Sequence, residues 1–289
     1  METPVDINSL IRNAHARTNG ALNESEAKQA LQSFGIPVVE ETEVLDVAGA
    51  VAAADAIGYP VVLKGLGSAL LHKSEMGMVF VNLNSPDDVR RAAEDIVTRH
   101  QDRLDGLLVQ PYISARRELM AGMVRDPQFG PVIMFGLGGV LTEALSDTTC
   151  RLLPLSAADA LEMISDIRAS VLLDAFRGEA AINRVDMVNL LLNLSRLALT
   201  FPDIAEIDLN PLLIGPDGTI TVVDALITCR PQRDSQCPFE AIAPADIRNL
   251  FYPRRIAFVG ASAQFGKWGH MLYANTVGGG FEGDVYLAN

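Results

Sequence analysis

Helical and strand-like patterns alternate along the first half of the chain. Residues 23–34, NESEAKQALQSF, read as a capped helix, with Asn23 or Ser25 as the N-cap and Gly35 as the stop. Val38-Val39 reads as a short strand, and the Ala-rich stretch 46–57 as a helix from Asp46 to Gly58. The apolar run Pro60-Val61-Val62-Leu63 ends in Lys64 and meets the turn Gly65-Leu66-Gly67-Ser68. After His72-Lys73-Ser74 and Gly77, a second run, Met78-Val79-Phe80-Val81, reads as another strand. Ser85 caps the next helix, with Pro86 at its first position, acids in its first turn and an end near His100. Leu107-Leu108-Val109 and residues 117–124 are strands. Short loops join these elements, so the first 124 residues build α/β or α+β layers.

The second half continues the alternation. Val132-Ile133-Met134-Phe135 is a buried strand running into Gly136-Leu137-Gly138-Gly139. Ser156 caps a helix over about 157–169, and Val188, Leu191, Leu192, Leu194 and Leu197 mark another over about 184–199. Residues 204–214, IAEIDLNPLLI, alternate: Glu206, Asp208 and Asn210 face one way, Ile207 and Leu209 the other. Gly215-Pro216-Asp217-Gly218 turns the chain into Thr219–Asp224. Pairing Ile214 with Ile220 sets Asn210 opposite Asp224, with Asp208 beside them. Residues 230–248 carry three prolines and read as a linker. Then Arg255–Val259 runs into Gly260-Ala261-Ser262-Ala263-Gln264-Phe265-Gly266-Lys267, a helix near 268–276, and a last strand at Val285–Asn289. One βαβ unit cannot cover both faces of a parallel sheet. This piece is therefore expected to belong to a longer protein or to be completed by a partner chain.

Composition narrows the class. The 289 residues suffice for about two domains. Hydrophobic content of 49% and charged content of 20% fit a globular protein with a large core. No apolar run reaches the ~20 residues of a membrane span, and the N-terminus has no long apolar segment of the secretory kind. A net charge of −13 argues against nucleic acid and anionic membrane as partners. Cys150, Cys229 and Cys237 are odd in number and lack CxxC spacing, so they read as reduced cytoplasmic thiols.

Three patterns carry candidate chemistry. A lysine ending a buried strand, then glycines and a histidine, suits phosphate: Lys64 as a point charge, backbone N–H groups as an anion cradle, His72 as nucleophile or proton carrier. A hairpin with a solvated Lys and His fits the same residues. The Gly136–Gly139 turn is a plausible anion cradle, and a tight structural turn explains it equally. Asn210 and Asp224 on one hairpin face offer oxygen ligands suited to Mg²⁺, which keeps several waters and takes few protein oxygens; a solvated sheet face is the other reading, against which the many apolar neighbours argue. The turn at 260–267 is neither a P-loop nor GxGxxG: Trp268 follows the lysine, and Ser262 holds the second glycine position.

Together these segments resemble one family. FGIPVV, IGYPVVLK, LLHKSEMGMV, LVQPYI, RDPQFGPVIMFGLGG, FPDIAEIDLNPLLI and PDGTITVVDALI, in that order, are similar to the ATP-grasp domain of ADP-forming acyl-CoA synthetases and, more distantly, of the succinyl-CoA synthetase β subunit. PRRIAFVGAS, GKWG and GGFEGDVY resemble the start of the family's CoA-binding domain. The resemblance implies a two-lobed ATP-grasp fold over 1–229 with the lobe boundary near 110–113, a linker at 230–252, and a partial Rossmann-like CoA-binding unit at 253–289. It implies Lys64 on the nucleotide phosphates and the backbone of Gln110, Pro111, Tyr112 and Ile113 at the adenine. It places Glu118 near the ribose, and Gly136, Gly138 and Gly139 near the transferred phosphate. Asn210 and Asp224 match the Mg²⁺ ligands, His72 a second phosphate carrier, and Gly260, Ser262, Lys267 and Gly269 the turn facing the CoA diphosphate.

The implied activity is an acid–CoA ligase using ATP/ADP, Mg²⁺, CoA and a small carboxylic acid, and the implied place is the cytoplasm. The family's main phosphohistidine lies beyond the region matched here, and His15, His100 and His270 sit in no matching context. A CoA-ligase domain or subunit carrying that histidine is therefore implied as partner, and an oligomer with it. These residues alone are expected to bind ATP·Mg without turnover. Two other readings fit the nucleotide motifs: a non-catalytic nucleotide sensor, and another ATP-grasp carboxylate ligase, against which the CoA-like βαβ unit argues.

Overall fold

The computed structural model describes residues 5–67, 77–100, 104–139, 147–175, 177–230 and 243–288. It forms two compact units, residues 1–232 and 233–289.

The first unit holds two antiparallel sheets, each with its own core. The smaller sheet has the order β1 (Thr42–Val44), β4 (Gly106–Pro111), β2 (Val61–Leu66), β3 (Val79–Leu83). Helices α3 (Val47–Ile57) and α4 (Pro86–His100) pack on it through Ala50, Ala54, Val89 and Ile96, which meet Val61, Leu63, Leu107 and Val109. Strand residues alternate between faces, so Lys64 on β2 and Gln110 on β4 point away from that core. Lys64 pairs with Val79 across the β2–β3 hairpin.

The larger sheet runs β10 (Leu226–Cys229), β8 (Ile204–Ile214), β5 (Arg117–Asp126), β6 (Gly130–Leu137), β7 (Thr148–Leu152), and β9 (Ile220–Val222) also pairs with β8. Leu119, Met123, Phe135, Ile207 and Leu209 turn into a core shared with α1 (Ile7–Ala16), α2 (Glu24–Ser33), α5 (Ala157–Asp166) and α6 (Arg184–Thr200). Capping sets where these helices begin: Asn23 and Ser156 each form a reciprocal capping box, and Asn183 accepts from two backbone amides. Of the two cap candidates for α2, Asn23 is used. Helix α5 stops at Asp166, short of the expected 169, because Ile167 turns extended and a 3₁₀ turn at Ser170–Leu173 follows. Val38 makes a single bridge to Val222 in place of a strand.

The second unit is a βαβ motif: β11 (Arg255–Val259) and β12 (Asp284–Ala288) pair in parallel, joined by α8 (Trp268–Gly278). A helix, α7 (Pro244–Phe251), lies inside the stretch read as linker; Pro244 starts it where a missing N–H costs nothing. The fold class is thus mixed α/β, as expected. Among the described residues, no helix is long and apolar enough to cross a membrane.

Candidate functional site

Lys64 is 4% exposed on a strand buried along its whole length. Its ammonium donates to Glu24 Oε1 at 2.6 Å and to the Val223 carbonyl at 2.8 Å, and lies 3.6 Å from Asp224 Oδ2. Burial works against the charge, but the carboxylates of Glu24, Asp224 and Glu41 outweigh it and hold Lys64 above an ordinary lysine. Glu24 Oε1 also accepts from Lys28 at 2.8 Å; Lys28 reaches Glu41 Oε2 at 2.6 Å and Gln110 Oε1 at 3.0 Å. Burial pushes the Glu41 carboxyl up, with Lys28 pulling the other way, and its Oε1 has no hydrogen-bond partner. The linked group joins the carboxylates of Glu24, Glu41 and Asp224 to the ammonium groups of Lys28 and Lys64.

The β8–β9 hairpin supplies the next pieces. Ile214 pairs with Ile220 and Leu212 with Val222, and on the far side Asp208 pairs with Leu226. The same register on both sides sets Asn210 across from Asp224. Ile207 and Leu209 fill the core while Glu206, Asp208 and Asn210 lie on the opposite face. Burial pushes Asp208 up to about 6, with Glu206 and Asp224 adding to the rise. Among the described residues, no group of three or more His, Cys, Asp or Glu forms a metal cage. A carboxylate and a carboxamide oxygen suit a cation that keeps most of its waters, and the Asp224 side chain is 37% exposed, open to one.

Asn210 Oδ1 accepts from the Gly139 amide at 3.5 Å, and Gly138 N donates to the Glu118 carbonyl at 2.9 Å. Gly139 has φ +64°, and a Cβ there would overlap the Glu118 carboxylate; one at Gly138 would sit 2.5 Å from the Leu119 carbonyl. Glycine is thus demanded by close approach at both positions. A Cβ at Gly136 would lie 2.4 Å from the Asp147 carbonyl. Beside Glu118 and Gly138 opens a cavity of about 440 Å³, lined also by Arg116, Arg177, Leu119 and Leu173.

Residues 112–116 connect the two sheets. Gln110 is buried, Pro111 and Ile113 are half-buried, and Tyr112 is exposed and tied by its amide to the Pro60 carbonyl at 3.0 Å. Arg117 anchors the far end, donating to the Ala180 carbonyl at 2.7 Å and facing Glu179 at 3.0 Å. Lys64, Gln110, Glu118, Gly138, Gly139, Asn210 and Asp224 therefore meet along one seam. His72 lies outside the described residues. Gly260, Ser262 and Lys267 lie in the β11–α8 turn of the second unit and Gly269 in the first turn of α8: Gly260 has φ +83°, Ser262 Oγ accepts from Gln264 N, and a Cβ at Gly269 would meet the Gly260 carbonyl at 2.3 Å. Lys267 is exposed at the cap of α8.

The sequence reading missed Glu24, Lys28 and Glu41. Their only signal was the Glu-x-x-x-Lys spacing of 24 and 28, which looks like an ordinary exposed helix pair.

Residues 13–229 match the ATP-grasp domain family. The chain is 37% identical over 227 residues to the acetate–CoA ligase [ADP-forming] I subunit beta of Pyrococcus furiosus, covering 77% of this chain and 97% of that subunit. It is 36% identical over 275 residues to acetate–CoA ligase [ADP-forming] II of Archaeoglobus fulgidus, covering 93% of this chain and 38% of that protein. It thus spans nearly all of a β subunit but under half of a single-chain relative. Among solved structures, it superposes with a TM-score of 0.67 and 39% identity, over 77% of this chain and 99% of the other, on the dinucleotide-forming acetyl-coenzyme A synthetase 1 of Ca. Korarchaeum cryptofilum. That structure is in complex with coenzyme A and Mg-AMPPCP, with a phosphohistidine segment pointing towards the nucleotide binding site. Taken with the seam of Lys64, Asn210, Asp224 and the glycine turn, these likenesses show that the chain belongs to the ATP-grasp family and, within it, is the ATP-grasp part of an ADP-forming acid–CoA ligase.

Proposed function

We propose that the first unit binds ATP with Mg²⁺ along the seam between its two sheets and exchanges a phosphoryl group with a histidine, so driving thioester formation from a small carboxylic acid and CoA, or the reverse. The carrying observation is that Lys64, Asp224, Asn210, Gly139 and Glu118 form one continuous chain of contacts and paired positions, although they come from strands far apart in sequence. The partly exposed Asp224 carboxylate beside Lys64 favours a bound cation. Asn210 and Asp224 would hold it, and Mg²⁺ there supplies neutralisation of charge on the nucleotide oxygens.

The protein's own groups position the nucleotide. Lys64 offers a fixed ammonium to phosphate oxygens. The close-packed Gly136–Gly139 turn brings backbone near the transferred group, and the 110–113 segment meets the base while Glu118 meets the ribose. The phosphoryl group passes to an imidazole nitrogen as its bond to ADP breaks. The main carrier histidine belongs to a CoA-ligase subunit or domain, and His72 is a second carrier. The β11–α8 turn, with Gly260, Ser262, Lys267 and Gly269, receives the CoA diphosphate. Free thiols at Cys150 and Cys229 suit a cytoplasmic enzyme. We assign domain bounds of 1–229, 230–252 and 253–289 to these roles.

The purified chain should bind ATP·Mg in calorimetry and form no acyl-CoA without its partner. Incubation with [γ-³²P]ATP and Mg²⁺ should leave an acid-labile, base-stable label that is lost in His72→Ala. Absence of ATP·Mg binding, or turnover by the chain alone, overturns the reading.

A further inference from the structure

The reaction assigned above uses Lys64 and Gln110 but leaves unexplained three charged groups packed behind them, Glu24, Lys28 and Glu41. We propose that Glu24 and Lys28 are positioning residues of the nucleotide site: from helix α2 Glu24 holds Lys64, and Lys28 holds Gln110, in place across the seam between the sheets. This inference rests on the nucleotide reading and deepens it.

Helix α2 belongs to the larger sheet's core through Ala27, Ala30 and Leu31. Lys64 and Gln110 belong to the smaller sheet. Glu24 and Lys28 are therefore side chains of one layer gripping functional side chains of the other. The side chains of Glu24 and Lys28 are 2% and 3% exposed, so the grip is made with little screening by water.

The donor count fixes the geometry. An ammonium has three N–H donors. Lys28 commits all three, to Glu24, Glu41 and Gln110. Lys64 commits two, to Glu24 and the Val223 carbonyl. Its third lies on the side of Asp224, whose oxygen at 3.6 Å is beyond hydrogen-bond length. That donor is the one left for a phosphate oxygen, and it faces the proposed metal position. Glu24 thus selects which donor of Lys64 the nucleotide meets. Stability alone is a poor reason for such a group, because well-packed apolar residues commonly serve as well as buried ion pairs.

The test is a double-mutant cycle on the full chain, read as the Kd for ATP·Mg by calorimetry, with Lys64→Met as the second leg. Glu24→Gln should weaken ATP·Mg about 10- to 100-fold, the range of a lost hydrogen bond to a charged group. In the Lys64→Met background it should add less than about twofold, because the lysine it positions is gone. Adenosine, which offers Lys64 no phosphate, should bind wild type and Glu24→Gln alike. If Glu24→Gln fails to fold, Glu24→Asp replaces it: the carboxylate withdraws from Lys64 and the affinity should drop at least about 5-fold. Wild-type affinity in the folded variant, equal losses with and without Lys64, or a matching loss for adenosine overturns the proposal. If wild type itself binds no ATP·Mg, the underlying nucleotide reading falls instead.

Discussion

At the scale of residues, the two buried lysines carry different burdens, and their removal should show it. Lys64→Met leaves Glu24 still held by Lys28, while Asp224 is exposed enough for water to take over. Lys28→Met strips Glu41 of its bond to Lys28 and Gln110 Oε1 of a donor, with Glu41 Oε1 already lacking a hydrogen bond. An uncompensated buried carboxylate costs about 3–5 kcal/mol, whereas a broken pair whose members find other partners costs about 1–3 kcal/mol. In urea unfolding, Lys28→Met should therefore lower the midpoint more than Lys64→Met, and Lys28→Met/Glu41→Gln should recover part of the loss. ATP·Mg affinity should rank the single variants the other way, with Lys64→Met the more damaging. A variant order that is the same in both assays would show that the network is a strut and nothing more. This group was illegible in the sequence for a plain reason. Lys28 meets Gln110, and Glu24 meets Lys64, only after the two sheets have assembled, and nothing local to residues 23–34 says that this face of the helix is buried.

At the scale of elements, what could be read was what is local. Asn23, Asp46 and Ser156 cap helices where capping chemistry says they should, since the cap bonds its own first turn. The 215–218 turn fixes the β8–β9 register, so the Asn210–Asp224 opposition followed from counting. Strands β1, β7 and β10 went unread: each is five residues or fewer and owes its place to a neighbour in the sheet. Helix α1 was equally silent, because INSLIRNAHA buries only Ile7, Ile11 and Ala14. The turn after α5 depends on a single buried carboxylate. Asp147 accepts from the amides of Arg168 and Ala169, each at 2.8 Å. Burial pushes its carboxyl up, but those amides and Arg168 prevail and hold it below the ordinary range. A carboxyl lowered on folding contributes stability above its unfolded value of about 4 and loses it as pH falls through the folded value. Asp147→Asn should therefore be less stable than wild type at neutral pH, and the gap in urea midpoint should close as the pH is taken from about 5 towards 2. A gap unchanged over that range would mean the two amides do not discriminate the charged form.

At the scale of the molecule, the two units differ in what they can bury. The first has two filled cores, one around Phe135, Leu191 and Ile207 and one around Leu63, Ile96 and Val109. In the second, helix α8 has no buried residue, and Trp268, Leu272, Tyr273 and Val277 are exposed on it. Among the described residues its sheet has two strands. A two-stranded sheet is marginal in water by itself, and a unit of about 60 residues is marginal even when it buries its usual share of surface. Residues 1–232 should therefore fold without the rest. Cut at that point, the first unit should keep its melting temperature within about 2 °C and its ATP·Mg affinity within about twofold, because each core and each nucleotide-facing residue is retained. The separate peptide 233–289 should melt without cooperativity and bind a hydrophobic dye. The opposite pattern, a first unit that loses ATP·Mg on truncation, would mean that residues beyond 232 contribute to the nucleotide site, and the assignment of the whole site to one seam would have to be abandoned.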